Sequence, residues 1–198
     1  MKDNLTQLMF AFDCGSIPED QADKCLKAIK AFAAELKKID DKELRVSGLT
    51  FGSVDETRIV NKPLKKLHIS ELVLHNDGSG ACPMLDKTAT LMDDIGVRLT
   101  NTPEDERPSQ IILTIVVFGR DNASKKFTYD HLRDMIAHQR DIYKWKFFLM
   151  TDFSINMEKL GIAEDDTILI KKSEDDWMKK PFEELSEKMI KHIREFKQ

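Results

Sequence analysis

The sequence predicts a three-layer α/β/α sandwich, with a mainly parallel central sheet, helices on both faces and one antiparallel edge hairpin. Three observations predict it. The run Ile111-Ile112-Leu113-Thr114-Ile115-Val116-Val117-Phe118 carries no charge and is mostly β-branched or aromatic, the pattern of a strand buried on both faces. The other strand candidates are largely separated by helical stretches of roughly 12–20 residues, a spacing that gives right-handed parallel crossovers. Leu44–Phe51 and Glu56–Asn61 are instead joined by Gly52-Ser53-Val54-Asp55, which is too short for a parallel crossover and implies a hairpin.

The elements follow in order. Leu5–Phe12 is the first strand, ending at Asp13, and Cys14-Gly15-Ser16-Ile17-Pro18 is a turn. Pro18 suits a helix start, and Glu19 and Asp20 favour its positive N-terminal end. That helix runs to about Ile39, with Cys25, Ile29, Phe32 and Leu36 as its apolar stripe. After the hairpin, Pro63–Leu74 has no clear period, and His75-Asn76-Asp77-Gly78-Ser79-Gly80 is a loop. Pro83 opens a second helix reaching about Leu99, with Met84, Leu85, Thr88, Leu91, Met92 and Ile95 inward. Asn101–Ser109 reads as a surface loop before the central strand. Thr128 is an N-cap for the third helix, whose face is Leu132, Met135, Ile136 and Gln139. Trp145–Met150 is the next buried strand, Ile155–Leu160 a short helix and Thr167–Ile170 a last brief strand. Ser173–Asp176 caps a final helix over Trp177–Phe196, with Phe182, Leu185, Met189, Ile193 and Phe196 inward.

Composition narrows the function. At 198 residues, 41% apolar and 33% charged, the chain has the make-up of a single globular domain over 1–198. A net charge of −4 with no arginine-rich stripe argues against nucleic acid. The longest uncharged apolar run falls far short of the ~18 residues needed to span a membrane. The N-terminal residues lack the apolar core of a signal peptide. Cys14, Cys25 and Cys82 are odd in number and widely spaced, which suggests a reducing compartment and a cytoplasmic location, with no zinc or disulfide framework.

In an open α/β sheet the ligand site lies at the carboxyl ends of the strands. Several tracts along the chain carry a resemblance. Asp13 followed by Gly15-Ser16, the tract Pro103-Glu104-Asp105-Glu106-Arg107-Pro108, the central strand, Gly119-Arg120-Asp121-Asn122-Ala123-Ser124 and Met135-Ile136-Ala137-His138-Gln139-Arg140 together resemble a von Willebrand factor type A (vWA) domain of the small bacterial and phage kind. The resemblance covers roughly Leu5–Ile170 and implies a vWA, Rossmann-like fold.

It also implies a place for a metal-ion-dependent adhesion site (MIDAS). In the family a divalent cation, usually magnesium, is held by an Asp-x-Ser-x-Ser loop, a Thr on a second loop and an Asp ending the central strand, and a partner's carboxylate often completes the shell. Magnesium takes six oxygens in near-octahedral geometry. This chain departs at every loop. Asp13-Cys14-Gly15-Ser16 is one residue short, so Asp13 and Ser16 fit the first and last ligand positions and the middle serine has no counterpart. Gly80-Ala81-Cys82-Pro83-Met84-Leu85-Asp86 matches Gly-Ser-Thr-Ala-Leu-Leu-Asp, which puts Cys82 where the Thr hydroxyl belongs, and a thiol is a poor magnesium ligand. Val117-Phe118-Gly119 stands for Thr-Asp-Gly, so Phe118 takes the place of the ligating carboxylate. Residual magnesium binding would need Asp121 to bend back into the site.

The expectation is therefore a non-enzymatic protein–protein interaction module with a degenerate MIDAS. It has no cofactor, no nucleic-acid partner and no membrane insertion, and another protein is its ligand. Its binding face is the carboxyl-end surface, built from Asp13, Ser16, Asp77, Ser79, Cys82, Phe118, Asp121 and Asn122 with the loop Thr151–Ser154. Phe118 and Met150 would make that face apolar. Two alternatives stand beside it: a metal-dependent adhesion domain with rebuilt ligands, and an enzyme using Cys82 as a nucleophile, since a cysteine at a helix N-terminus has a lowered pKa. The bland readings hold elsewhere. His131 and His138, seven apart on one helix, are solvated or capping, His68 and His75 have no catalytic partner, and Lys171–Asp176 is a solvated face.

Overall fold

The computed structural model describes residues 1–52, 56–71, 74, 80–152 and 157–196. Its elements in chain order are β1 (Lys2–Asp13), α1 (Ala22–Leu36), β2 (Glu43–Phe51), β3 (Arg58–Pro63), α2 (Met84–Thr100), β4 (Pro108–Val117), α3 (Tyr129–Tyr143), β5 (Lys146–Thr151), β6 (Thr167–Leu169) and α4 (Lys179–Glu195). They form a six-stranded sheet ordered β3-β2-β1-β4-β5-β6. All neighbouring pairs are parallel except β2–β3, which is antiparallel.

The layers follow from side-chain alternation along the strands. On one face Leu8, Phe12, Ile112, Val116, Phe148 and Met150 pack against the stripes of α1 and α4. On the other Met9, Ala11, Leu49, Phe51, Leu113, Ile115 and Leu149 pack against α2 and α3. Every residue from Ile111 to Phe118 is buried, as expected of a strand flanked by β1 and β5 and covered twice. The apolar stripes read from the sequence are the buried faces of α1, α2 and α4. In α3 only Leu132 and Ile136 are fully buried. Thr128 does cap α3, its side chain accepting the His131 N–H at 3.3 Å.

Several boundaries differ from the sequence reading. β1 begins at Lys2 and β4 at Pro108, because the two pair there across a register shift between Lys2 and Thr6. Polar Lys2-Asp3-Asn4 extend the strand beyond the core, where no apolar pattern marks it. β4 ends at Val117, so Phe118 belongs to the following loop. Ser173–Asp176 does not cap α4. The cap position is Met178, without a side-chain hydrogen bond, and Trp177 is buried in the core instead. The Ser53–Asp55 part of the hairpin turn and residues 155–156 of the short helix lie outside the described residues, with Met157–Leu160 forming a 3₁₀ turn.

Register sets the site. Asp13 pairs with Phe51, and Phe12 with Val116, so β1, β2 and β4 end level with one another beneath the N-terminus of α2.

Candidate functional site

Three loops meet at that level: 13–18 after β1, 80–83 before α2 and 118–124 after β4. They meet closely because the first has a glycine where side chains have no room. A Cβ on Gly15 would lie 2.1 Å from the Gly52 carbonyl oxygen, and one on Gly52, whose φ is +86°, would lie 2.7 Å from the Ala81 oxygen. A left-handed backbone of this kind favours glycine. The end of β1 is thereby pinned to the end of β2, with Cys14 N–H and its thiol both donating to the Phe51 carbonyl at 2.9 and 3.1 Å.

Asp13 sits at the centre with no exposed surface. One carboxyl oxygen accepts the Ser16 N–H at 3.2 Å and the other the Phe118 N–H at 3.2 Å. Burial pushes the acid above the ordinary carboxylate range, and the two N–H donors, with the Ser16 hydroxyl and Cys82 thiol nearby, pull it partly back.

Cys82 is 1% exposed. Its thiol is held in the protonated form by burial, by the carboxylates of Asp13 and Asp121 and by donation to Asp13. The expected activation at a helix N-terminus is reversed, because two acids crowd a desolvated sulfur. As a nucleophile Cys82 is both inaccessible and uncharged.

Phe118 is corrected most. The sequence alignment put its side chain in the cation's place. The ring lies instead in the α1/α4 core, edge-on to Phe12 and Trp177 at 5.9 Å each. Asp13 and Cys82 belong to the opposite side of the sheet, and what Phe118 offers them is its main-chain N–H. Phe118 is 2% and Met150 0% exposed, so neither makes the outer surface apolar. Lys172 crosses above: its ammonium donates to the Phe118 carbonyl at 2.8 Å and pairs with Asp152 at 2.7 Å. The charge run Lys171–Asp176 is thus not wholly a solvated face. No periodicity in it marks Lys172, and only the fold brings it to the end of β4.

Asp121 does not bend toward Asp13. Its carboxylate accepts the Leu85 N–H in the first turn of α2 at 2.8 Å and the Ser124 hydroxyl at 2.6 Å, which is the work of a helix N-cap delivered from another loop. Asn122 clamps the same turn: its side-chain oxygen accepts the Cys82 N–H at 2.8 Å and its amide donates to the Gly80 carbonyl at 2.9 Å. Asp86 returns the contact, accepting main-chain N–H groups of Lys125, Lys126 and Phe127 at 2.8–3.0 Å. Burial alone would raise its pKa, but these three donors outweigh burial and lower it. The sequence showed Asp86 only as part of a motif match, with no signal for this role.

The structure therefore brings Asp13, Ser16 and Cys82 together, adds Phe118 through its backbone, and ties Asp121 and Asn122 to the adjoining helix start. Asp77 and Ser79, with residues 153 and 154 of the proposed face, lie outside the described residues. Among the described residues no group of three or more His, Cys, Asp or Glu is arranged to hold a metal ion. His131, His138 and His68 are exposed. No described helix is long and apolar enough to cross a membrane.

This architecture is that of a vWA-like α/β sandwich. No family model matches the sequence, and no curated protein matches it. Among solved structures the chain is similar to proximal thread matrix protein 1 from the mussel byssus, with 13% identity and a TM-score of 0.62 over 93% of this chain and 46% of that one. A second crystal form gives 14% identity and a TM-score of 0.56, covering 93% and 49%. The form with a zinc-occupied MIDAS motif gives 15% and 0.55, covering 98% and 48%. The chain thus spans just under half the length of each of these structures.

Proposed function

We propose that this chain is a non-enzymatic, vWA-like protein-interaction module in which hydrogen bonds from the chain itself have replaced the divalent cation. One observation carries the reading: Asp13, the first ligand position of the resembled motif, already has an internal N–H donor on each of its two oxygens. A cation at that carboxylate would have to displace N–H groups that have no other partner in a buried site, at a cost of about 1–3 kcal/mol for each group left unsatisfied. The thiol of Cys82 and the backbone of Phe118 stand where the motif supplies hydroxyl and carboxylate oxygens, a donor set that does not suit a hard cation. The mussel matrix protein with zinc in its MIDAS motif shares the fold and marks the contrast.

The partner surface in this reading is the carboxyl end of the sheet. Its solvent-facing groups are Pro18, Arg120, Asn122 and half-buried Ser16, with the Lys172–Asp152 pair beside them. The ligand is a protein met through polar contacts, and a cytoplasmic setting suits three buried free thiols. The test is thermal melting with EDTA, then with about 1 mM magnesium or zinc. A ligand bound only by the native state stabilises it by RT ln(1 + [L]/Kd) and so raises Tm; the expected result is three superimposable curves. A rise of several degrees with either metal, lost on mutating Asp13, overturns the proposal in favour of a rebuilt adhesion site.

A further inference from the structure

At the opposite, amino end of the sheet lies a cleft of about 700 Å³ between β1, β2, the end of β3 and the C-terminal turns of α2. Two arginines reach into it from different elements, Arg45 from β2 and Arg98 from α2. We propose that this cleft is a binding site for a phosphate-type oxyanion, free or as the monoester of a small molecule.

Arg98 is half-buried and, among the described residues, has no carboxylate partner. Its guanidinium donates only to neutral oxygens, to Gln7 Oε1 at 2.6 Å and Ser47 Oγ at 3.1 Å. A guanidinium carries five N–H donors, so three of Arg98 remain for a ligand. Arg45 is close enough for the two positive charges to oppose one another. Burial first, and then Arg45, bring Arg98 below the ordinary arginine range. Crowding a half-desolvated, unpaired cation against another is unfavourable until an anion joins them.

The arginines are held, not merely near. Gln7 and Ser47 are each 2% exposed. Gln7 spends its amide on the carbonyls of Leu8 and Arg45 at 3.0 and 3.1 Å and on Ser47 at 3.3 Å, leaving its oxygen for Arg98. On the other wall the β2–β3 ladder shifts register between Val46 and Gly48, and Asn61 takes a φ of +48°. That turn of the backbone presents both Asn61 oxygens to Arg45: Nε reaches Oδ1 at 2.8 Å and Nη2 reaches the carbonyl at 2.7 Å. These bonds and the one from Nη1 to Glu43 engage three of Arg45's five N–H groups, so Arg45 is a fixed positive wall and Arg98 supplies most of the free donors. A planar guanidinium with free N–H groups, fixed in advance beside a second positive charge, is an arrangement that recognises phosphate.

Charge at the rim limits the ligand's size. Glu43 pairs with both Lys2 at 2.5 Å and Arg45 at 3.0 Å, and with Asp105 and Glu106 the lining carries three charges of each sign, Arg98 being the cation without a carboxylate partner among the described residues. Asp105 and Glu106 stand exposed on the cleft's other side. They repel a polyanion such as nucleic acid and leave room for one compact anion.

The test titrates inorganic phosphate, phenyl phosphate and acetate against chloride at matched ionic strength, following Tm and the Arg Nε–Hε resonances. With a Kd near 1 mM, about 10 mM phosphate raises Tm by roughly 4 °C and shifts the Arg98 resonance. Acetate does neither at that concentration. Tighter binding of phenyl phosphate identifies a monoester site, and equal binding identifies free phosphate; both support the oxyanion. Arg98→Met abolishes the shift, and Arg98→Lys, which keeps the charge and loses the fork, weakens binding at least tenfold. Phosphate also stabilises proteins by general exclusion. An equal Tm rise in wild type and Arg98→Met, or an unmoved Arg98 resonance, therefore refutes the site. The resonance reads wild type alone, so the proposal stays falsifiable if a variant fails to fold.

Discussion

β1 takes part in two charged sites, and the two are treated in opposite ways. At its carboxyl end Asp13 is sealed, with each oxygen matched to donors from its own chain. Midway along the strand Gln7 holds Arg98 of α2 in place, but the arginine lines an open cleft with donors to spare. Satisfied buried polarity specifies a structure, whereas unsatisfied, half-buried polarity held in a fixed geometry specifies a ligand. In the proposed reading, the end that the resembled motif nominates as the site is therefore the closed one.

The comparison breaks most visibly at Phe118. Replacing it with aspartate puts back the residue type that the resemblance expects, but aims a carboxylate into the aromatic cluster with Phe12 and Trp177. The expected loss is about 4 kcal/mol in urea denaturation, near that of deleting a buried ring, with no gain in magnesium response. Magnesium-dependent stabilisation of Phe118→Asp would show that the loop can turn the side chain across the sheet. Next in size is Asp13→Ala, expected to cost about 3 kcal/mol by stranding the Ser16 and Phe118 N–H groups. Arg98→Met, measured alongside it, changes stability by only about 1 kcal/mol, since its lost partners are neutral. Equal losses at the two sites would erase the distinction between sealed and open.

The smallest effect is on pH. Burial raises the Asp13 pKa in the folded chain above its ordinary value of 3.8, so the folded state holds that proton more tightly than the unfolded one. Its contribution to stability is full below pH 3.8 and is lost as pH rises through the raised value. Asp86 and Glu43, whose values are lowered, run the other way: their contribution is present above the unfolded carboxylate range and lost as pH falls. The stability difference between wild type and Asp13→Asn isolates the first term. It is expected to shrink as pH rises from about 3.5, and a difference that grows would mean Asp13 is stabilised as the anion.

The fold was legible because it rests on periodicity. The uncharged run of β4, the stripes of α1, α2 and α4 and the short β2–β3 link each state their partners in residue type and spacing. The site was less legible because it rests on which side a terminal residue faces. One position at the end of a strand exchanges core for site, and matching Val117-Phe118-Gly119 to a motif by order alone gives no sense of the side. Asp121 and Asn122 were found as site residues but given another task, since capping a helix from a distant loop leaves no mark in local sequence. The Arg45–Arg98 cleft was invisible for a related reason. Gln7, Ser47 and Asn61 are unremarkable polar residues in strands until the register shift brings them around two guanidinium groups.

The contact between Gly15 and Gly52 bears on what the chain can become. A serine two residues after Asp13, as the resembled motif has it, would fall at position 15. Any Cβ there meets the Gly52 carbonyl at 2.1 Å, a main-chain atom that cannot rotate aside, so the change demands that β2 and the start of α2 move as well. A side chain at position 15 is thus closed to single substitution unless the backbone of β2 shifts with it, which confines this turn to glycine.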